Sequence, residues 1–141
     1  IQRCNMVRPI IKNKGFLAKK SAPATQNDAR IAQDLLDTFL AHKDECVGMA
    51  ANMIGWLKKI IIVDLGFAPV IMYNPMIIKK DGPFETEEGC LCHEGEQKVT
   101  RYAVIEVAYM DHAFKLQRKV FTGFNAQIIQ HEIDHCNGIL I

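Results

Sequence analysis

The feature that most constrains this chain is His131-Glu132-Ile133-Asp134-His135, an H-E-x-x-H pattern close to its end. On a helix, residues four apart lie one turn above each other on the same face. Two imidazoles at that spacing converge on one point, suited to a single metal ion, and the glutamate projects beside that point without being a ligand. There it can take a proton from a metal-bound water. Apolar Ile128, Ile129 and Ile133 surround the motif, which fits a helix packed on a core. That helix is predicted over about Phe124 to Asn137, with Thr122 and Asn125 as candidate caps and Gly138 suited to a left-handed residue just past its end.

A metal held by two histidines needs a third protein ligand and an open position for water. After His135 only Cys136 could ligate, and it points to another side of the helix, so the third ligand must come from upstream. The candidates cluster in Glu87-Glu88-Gly89-Cys90-Leu91-Cys92-His93. A thiolate suits zinc or ferrous iron, and Gly89 lets the backbone turn close to a metal. Spacing alone does not choose between Cys90, Cys92 and His93.

The remaining elements follow from periodicity. Ile31, Leu35, Leu36, Phe39 and Leu40 form an apolar stripe on a helix from about Asn27 to His42, with Thr25, Asn27 and Asp28 as N-caps. The middle of the chain reads as strands: Lys59–Leu65, Val70–Tyr73 and Met76–Lys80, the last ended by the turn signal Asp81-Gly82-Pro83. Val104–Met110 and Leu116–Thr122 flank Asp111–Lys115 like the arms of a hairpin, with both faces of these strands partly covered. Strands followed by one closing helix predict an α+β domain, antiparallel sheets around a C-terminal helix, spanning residues 1–141. Residues 1–5 read as a tag or leader before Met6.

Composition narrows the class. The chain has 141 residues, 49% of them hydrophobic, and a net charge of +1, so neither nucleic acid nor membrane is an expected partner. No apolar run reaches the roughly 18 residues a membrane span needs, and no signal peptide stands at the start. The 5 cysteines are irregularly spaced, which suits free thiols in a reducing cytoplasm. Cys90 and Cys92 are too close in sequence for an ordinary disulfide, and Cys4, Cys46 and Cys136 read as buried or incidental. His42 and His112 read as solvated, His93 as lining the site, and Trp56 and the methionines as core or pocket wall.

Three segments together resemble the peptide deformylases, whose motifs run G-φ-G-φ-A-A-x-Q, E-G-C-φ-S and Q-H-E-x-D-H, with φ apolar. Here they stand as Cys46-Val47-Gly48-Met49-Ala50-Ala51-Asn52-Met53, Glu88-Gly89-Cys90-Leu91-Cys92 and Gln130-His131-Glu132-Ile133-Asp134-His135, in the family's order. The resemblance implies Cys90, His131 and His135 as metal ligands and Glu132 as general base and acid. It implies that the Leu91 N–H donates to the formyl oxygen, and that Glu88 is a buried acid paired with Arg101. Asp134 would orient a ligand or the helix. Gly48, Met53, Leu91, Phe124 and Ile128 would contact substrate, the last three around its methionine side chain. The implied reaction is metal-assisted removal of the N-formyl group from nascent peptides, with Fe²⁺ in the cell and Zn²⁺, Ni²⁺ or Co²⁺ as substitutes. A metal amidase for a different N-acyl group, or a non-catalytic peptide-binding relative, is the alternative.

The chain departs from the motifs at Cys46 (glycine in the family), Met53 (glutamine) and Cys92 (serine). Met53 matters most, because the glutamine amide donates to the formyl oxygen and a thioether cannot. Asn52 next door could supply an amide if the backbone shifted. Many deformylases continue into a basic C-terminal helix that docks on the ribosome. This sequence stops at Ile141, so that mode of docking is expected to be missing.

Overall fold

A computed structural model describes residues 7–141, the side chain of His93 excepted. The expectations placed on Cys4, on a start at Met6 and on the His93 side chain lie outside the described residues. A single helical turn, α1 (Lys14–Leu17), comes first. Thr25 then caps a short 3₁₀ turn: its hydroxyl accepts from the Asn27 N–H, and Asp28 reaches back to the Thr25 N–H. The following helix, α2 (Ala29–Ala41), therefore starts later than predicted, because the capping box belongs to the turn before it. Leu35 and Phe39 on the apolar stripe are fully buried, each contributing roughly 1.5–3 kcal/mol of transfer free energy.

The five strands form one antiparallel sheet in chain order: β1 (Gly48–Ala50), β2 (Ile60–Asp64), β3 (Pro69–Cys90), β4 (His93–Met110) and β5 (Leu116–Thr122). The helix α3 (Gly123–Cys136) closes the chain. It packs on β1, β2, β4 and β5 and buries Ala126, Ile128, Ile129, Ile133 and Cys136 among Ile61, Val63, Ile105 and Val107. A second apolar cluster lies between α2, β2 and the segment after β1, and includes Met49, Met53 and Ile60. Strand β1 thus lies between the two helices and brings its residues close to both.

Several expectations need correction. There is one sheet where several were expected. The segment Asp81-Gly82-Pro83 does not turn, and β3 runs straight through it. The ladder continues from Asp81 opposite Val104 to Pro83 opposite Tyr102, and Gly82 keeps a positive φ of 71°. The Asp81 carboxylate accepts from the Gly82 N–H at 2.8 Å. A Cβ at Gly82 would sit 3.1 Å from the Ala103 Cβ, so only glycine fits comfortably. Beyond Tyr73, β3 pairs only with β4, and this open edge tolerates the missing N–H of Pro83. Strand β4 correspondingly starts eleven residues earlier than predicted, at His93 rather than Val104.

The predicted hairpin is present, with β4 ending at Met110 and β5 beginning at Leu116. Its faces differ more than expected: Ile105, Val107 and Tyr109 are buried, whereas Val104 is 41% exposed. Trp56 and Met76, expected in core or pocket wall, are 44% and 62% exposed. At the start of α3, Thr122 holds the N-cap position without a side-chain bond, and past its end Gly138 takes φ 74°. A Cβ on Gly138 would come within 2.4 Å of the Ala18 carbonyl oxygen, so glycine is needed there for space as well as for conformation.

Candidate metal centre

The two long strands end at a turn that faces α3. Cys90 is the last residue of β3, Leu91 and Cys92 form the turn, and Cys90 pairs with His93 across it. On α3, His131 and His135 stand one turn apart and are 8% and 1% exposed. Cys90 Sγ lies 3.3 Å from His135 Nε2, which lies 3.2 Å from His131 Nε2. Among the described residues, these three donor atoms all lie within 4.8 Å of one another. The spacing that left Cys90, Cys92 and His93 open is resolved for the sulfurs: Cys90 joins the two histidines, and Cys92 lies behind it, 3.1 Å from its sulfur.

The chemistry of this donor set fits a divalent cation. The His131 Nδ1–H donates to Glu88 Oε1 at 2.8 Å, which turns the lone pair of Nε2 toward His135 and Cys90. Two imidazole nitrogens and a sulfur directed at one point repel unless a cation lies between them. The neighbouring Cys92 sulfur and burial both push the Cys90 thiol pKa upward, so the thiolate needs a cation beside it. Soft sulfur with two imidazoles suits zinc or ferrous iron.

Glu88 is the hub behind His131. Arg101 on β4 grips its carboxylate through Nε and Nη2, the shortest contact being 2.7 Å, and through Nη1 also binds Asp134 Oδ2 at 2.7 Å. Gln127 on α3 donates to Glu88 Oε2 at 2.9 Å. Burial works against the Glu88 charge, but His131, Arg101 and Gln127 overcome it and hold the carboxyl at about 2. The pairing expected for Glu88 and Arg101 is therefore present, and Asp134 is tied into it. Gln127 was missed by sequence reasoning. Its signal was positional: it lies four residues before His131, on the same helix face.

Glu132, next to His131 on α3, lines the cavity beside the donors and lies against β1. It is 4% exposed, its Oε1 is buried without a hydrogen-bond partner, and burial pushes its pKa up to about 7. The β1 backbone passes so close that a Cβ on Gly48 would lie 3.0 Å from Glu132 Oε2. An orphaned carboxylate oxygen in so dry a place is suited to proton transfer with a molecule that enters later.

A cavity of about 680 Å³ opens beside these groups. Gly48, Met53, Leu91, Phe124 and Ile128, the five residues singled out for substrate contact, all line it. Phe124 is 60% exposed and forms its rim. Cys46, read from sequence as incidental, lines it too, and its thiol is pushed up to about 11 by burial and by Glu132. Asn52 does not reach it. The Asn52 amide is fully buried and donates to the His135 carbonyl at 2.9 Å, so the shifted-backbone alternative fails.

The family model for polypeptide deformylase matches residues 7–141. A peptide deformylase of Clostridium beijerinckii is 51% identical over 136 residues, covering 96% of this chain and 100% of that protein. The actinonin-bound crystal structure of class I type b peptide deformylase from Acinetobacter baumannii is 33% identical, covers 96% of each chain and superposes with a TM-score of 0.86. The Met-Ala-Ser-bound structure of that enzyme is 30% identical, covers 96% of this chain and 97% of that chain, and gives 0.85. With a matched model over nearly its whole length and a relative sharing half its residues, this chain belongs to the polypeptide deformylase family, a family of hydrolases.

Proposed function

We propose that this chain removes the formyl group from peptides that begin with formyl-methionine, with Cys90, His131 and His135 holding one divalent ion. The observation that carries the reading is Glu132: a buried carboxylate with an orphaned oxygen, between the three convergent donors and an open cavity. A purely structural metal site has no need of such a group. The cation, when bound, supplies Lewis acidity toward the formyl oxygen and eases ionisation of water.

The protein side of the reaction follows from the geometry. The peptide enters past Phe124, and its methionine side chain rests on Leu91 and Ile128 in the cavity. The Leu91 N–H, on the turn next to Cys90, donates to the formyl oxygen as charge develops there. Glu132, buried with one carboxylate oxygen left unpaired, accepts the proton of the attacking water and returns it to the departing amine. Formate and the free amino terminus are the products. Arg101, Glu88 and Gln127 keep His131 oriented throughout.

Met53 sets this chain apart. It lines the cavity where the family motif has glutamine and offers no donor, while the neighbouring Asn52 amide is committed to His135. One oxyanion donor is missing, so deformylation is slow, and the same loss keeps a metal amidase for a different N-acyl group as a second reading. Fe²⁺ is the proposed metal in the cell, with zinc, nickel or cobalt able to replace it. A substrate made on ribosomes implies the cytoplasm, and no helix among the described residues is long and apolar enough to cross a membrane. The deciding experiment is formate release from formyl-Met-Ala-Ser by anaerobically iron-loaded protein, run beside the acetyl analogue. Release from the formyl peptide supports the proposal. Inertness toward it with metal bound would overturn it.

A further inference from the structure

The family's second motif ends in serine, and here that position is Cys92. The side chain is 3% exposed, and its sulfur lies 3.1 Å from that of Cys90. Cys90 is half-buried and lines the cavity, so one sulfur of the pair meets small solutes and the other lies directly behind it. A disulfide needs the sulfurs at about 2.05 Å, a further approach of about 1 Å from the observed 3.1 Å. Cys90 ends β3 and Cys92 lies in the two-residue turn that follows, where side-chain torsions can supply that movement. A bridge between residues two apart closes a small strained ring, and strained bridges are easily reduced. The spacing that argues against a permanent disulfide therefore favours a reversible one.

We propose that Cys90 and Cys92 form a reversible redox pair at the metal centre, with hydrogen peroxide as oxidant and Cys92 as the resolving thiol. The Cys90 sulfur attacks one peroxide oxygen, the O–O bond breaks, and a sulfenic acid and one water form. The Cys92 sulfur then attacks the Cys90 sulfur. The S–O bond breaks, and the hydroxyl leaves with the Cys92 proton as a second water. Two thiols lose two hydrogens while one peroxide becomes two waters, and a dithiol reductant reverses the change by exchange. Without a neighbouring thiol, a sulfenic acid proceeds to sulfinic and sulfonic acids, which are irreversible. Cys92 intercepts that path and serine cannot. The bridge rests on the sulfur geometry alone, whereas loss of metal upon oxidation rests on the reading of Cys90 as a ligand.

The test uses zinc-loaded protein and stoichiometric hydrogen peroxide, followed by intact mass, peptide mapping and a chromogenic chelator for released zinc. The expected result is a loss of two hydrogens mapped to a Cys90–Cys92 link, zinc release in proportion, and reversal of the link by dithiothreitol. Cys92→Ser should hold zinc beforehand, then, when given three equivalents of peroxide, gain two or three oxygens on Cys90 that dithiothreitol does not remove. Because Cys46 lines the same cavity, Cys46→Ala is the control and should form the same link. A bridge mapped to another pair overturns the proposal. So does wild-type Cys90 that gains only oxygens, or that stays unmodified while glutathione in the same tube is consumed. A Cys90–Cys92 bridge formed without zinc release would keep the redox pair and sink Cys90 as a ligand.

Discussion

The side-chain amide of Asn52 donates to the backbone carbonyl of His135 across 2.9 Å, tying the turn after β1 to the helix that carries the histidines. The amide that could have replaced the family's glutamine is thus part of the scaffold, and Met53 alone faces the cavity. Losing one oxyanion donor costs about 10²–10³ in rate. Met53→Gln should therefore raise kcat/KM on formyl-methionyl peptides by about tenfold or more. Asn52→Ala should lower thermal stability by roughly 0.5–1.5 kcal/mol for the lost hydrogen bond, since the His135 carbonyl still accepts from the Gly138 N–H at 3.1 Å, without a comparable rate loss in the folded protein. An inert Met53→Gln beside an Asn52→Ala that abolishes turnover would reverse this assignment.

Ligand and base should separate cleanly. Cys90→Ala and His135→Ala should each lose stoichiometric metal, read by elemental analysis after gel filtration. Glu132→Gln should keep the metal and lose turnover by about 10²–10⁴, the usual share of a general acid–base group. Full metal content in either ligand variant, or wild-type turnover in the glutamine variant, would refute the corresponding role.

Two carboxyls should shape the pH dependence of the metal-free protein in opposite directions. Folding holds Glu88 at about 2, below its ordinary 4.5, so its contribution is complete above pH 4.5 and is lost as pH falls toward 2. Folding raises Glu132 from 4.5 to about 7, so its contribution is complete below pH 4.5 and is lost as pH rises through 7. Each shift corresponds to about 3 kcal/mol. Urea unfolding of the metal-free protein should show stability falling between pH 4.5 and 7. Glu132→Gln should flatten that limb and leave the acid limb in place. An unchanged slope in the variant would mean that Glu132 is not the group responsible.

The site was more legible in the sequence than the sheet. H-E-x-x-H on a helix brings two histidines and a glutamate to one region by periodicity, and the resemblance narrowed a short upstream segment to Cys90, whose sulfur the fold brings to the two histidines. The strand lengths were not legible, because Asp81-Gly82-Pro83 carries every local mark of a turn. What overrides it is tertiary: the partner strand continues past it, Gly82 fits against Ala103, and the edge is open beside Pro83. Cys46 and Gln127 were missed for a related reason. Cys46 stands where the motif has glycine and Gln127 lies outside the three motifs, and the packing of α3 against β1 helps bring them to the cavity.

Gly48 offers the most local test of how β1 serves Glu132. Its conformation is an ordinary one, so what forbids a side chain there is space. A Cβ would meet Glu132 Oε2 and Ile128 Cγ2 at 3.0 Å and Glu132 Cγ at 3.1 Å. All three atoms belong to α3, whose buried residues cannot move aside as a surface side chain would. Gly48→Ala should therefore displace the Glu132 carboxylate by a few tenths of an ångström and cost about 1–3 kcal/mol of stability through overpacking. The metal ligands come from the end of β3 and from His131 and His135 on the adjoining face of α3, none of which a Cβ at Gly48 would touch, so metal content should be unchanged. Turnover should fall by about tenfold or more with KM little affected, because proton transfer depends on placement within hydrogen-bond reach. If Gly48→Ala is as active as the natural protein with metal bound, the close approach of β1 is packing only, and Glu132 does not depend on it for position.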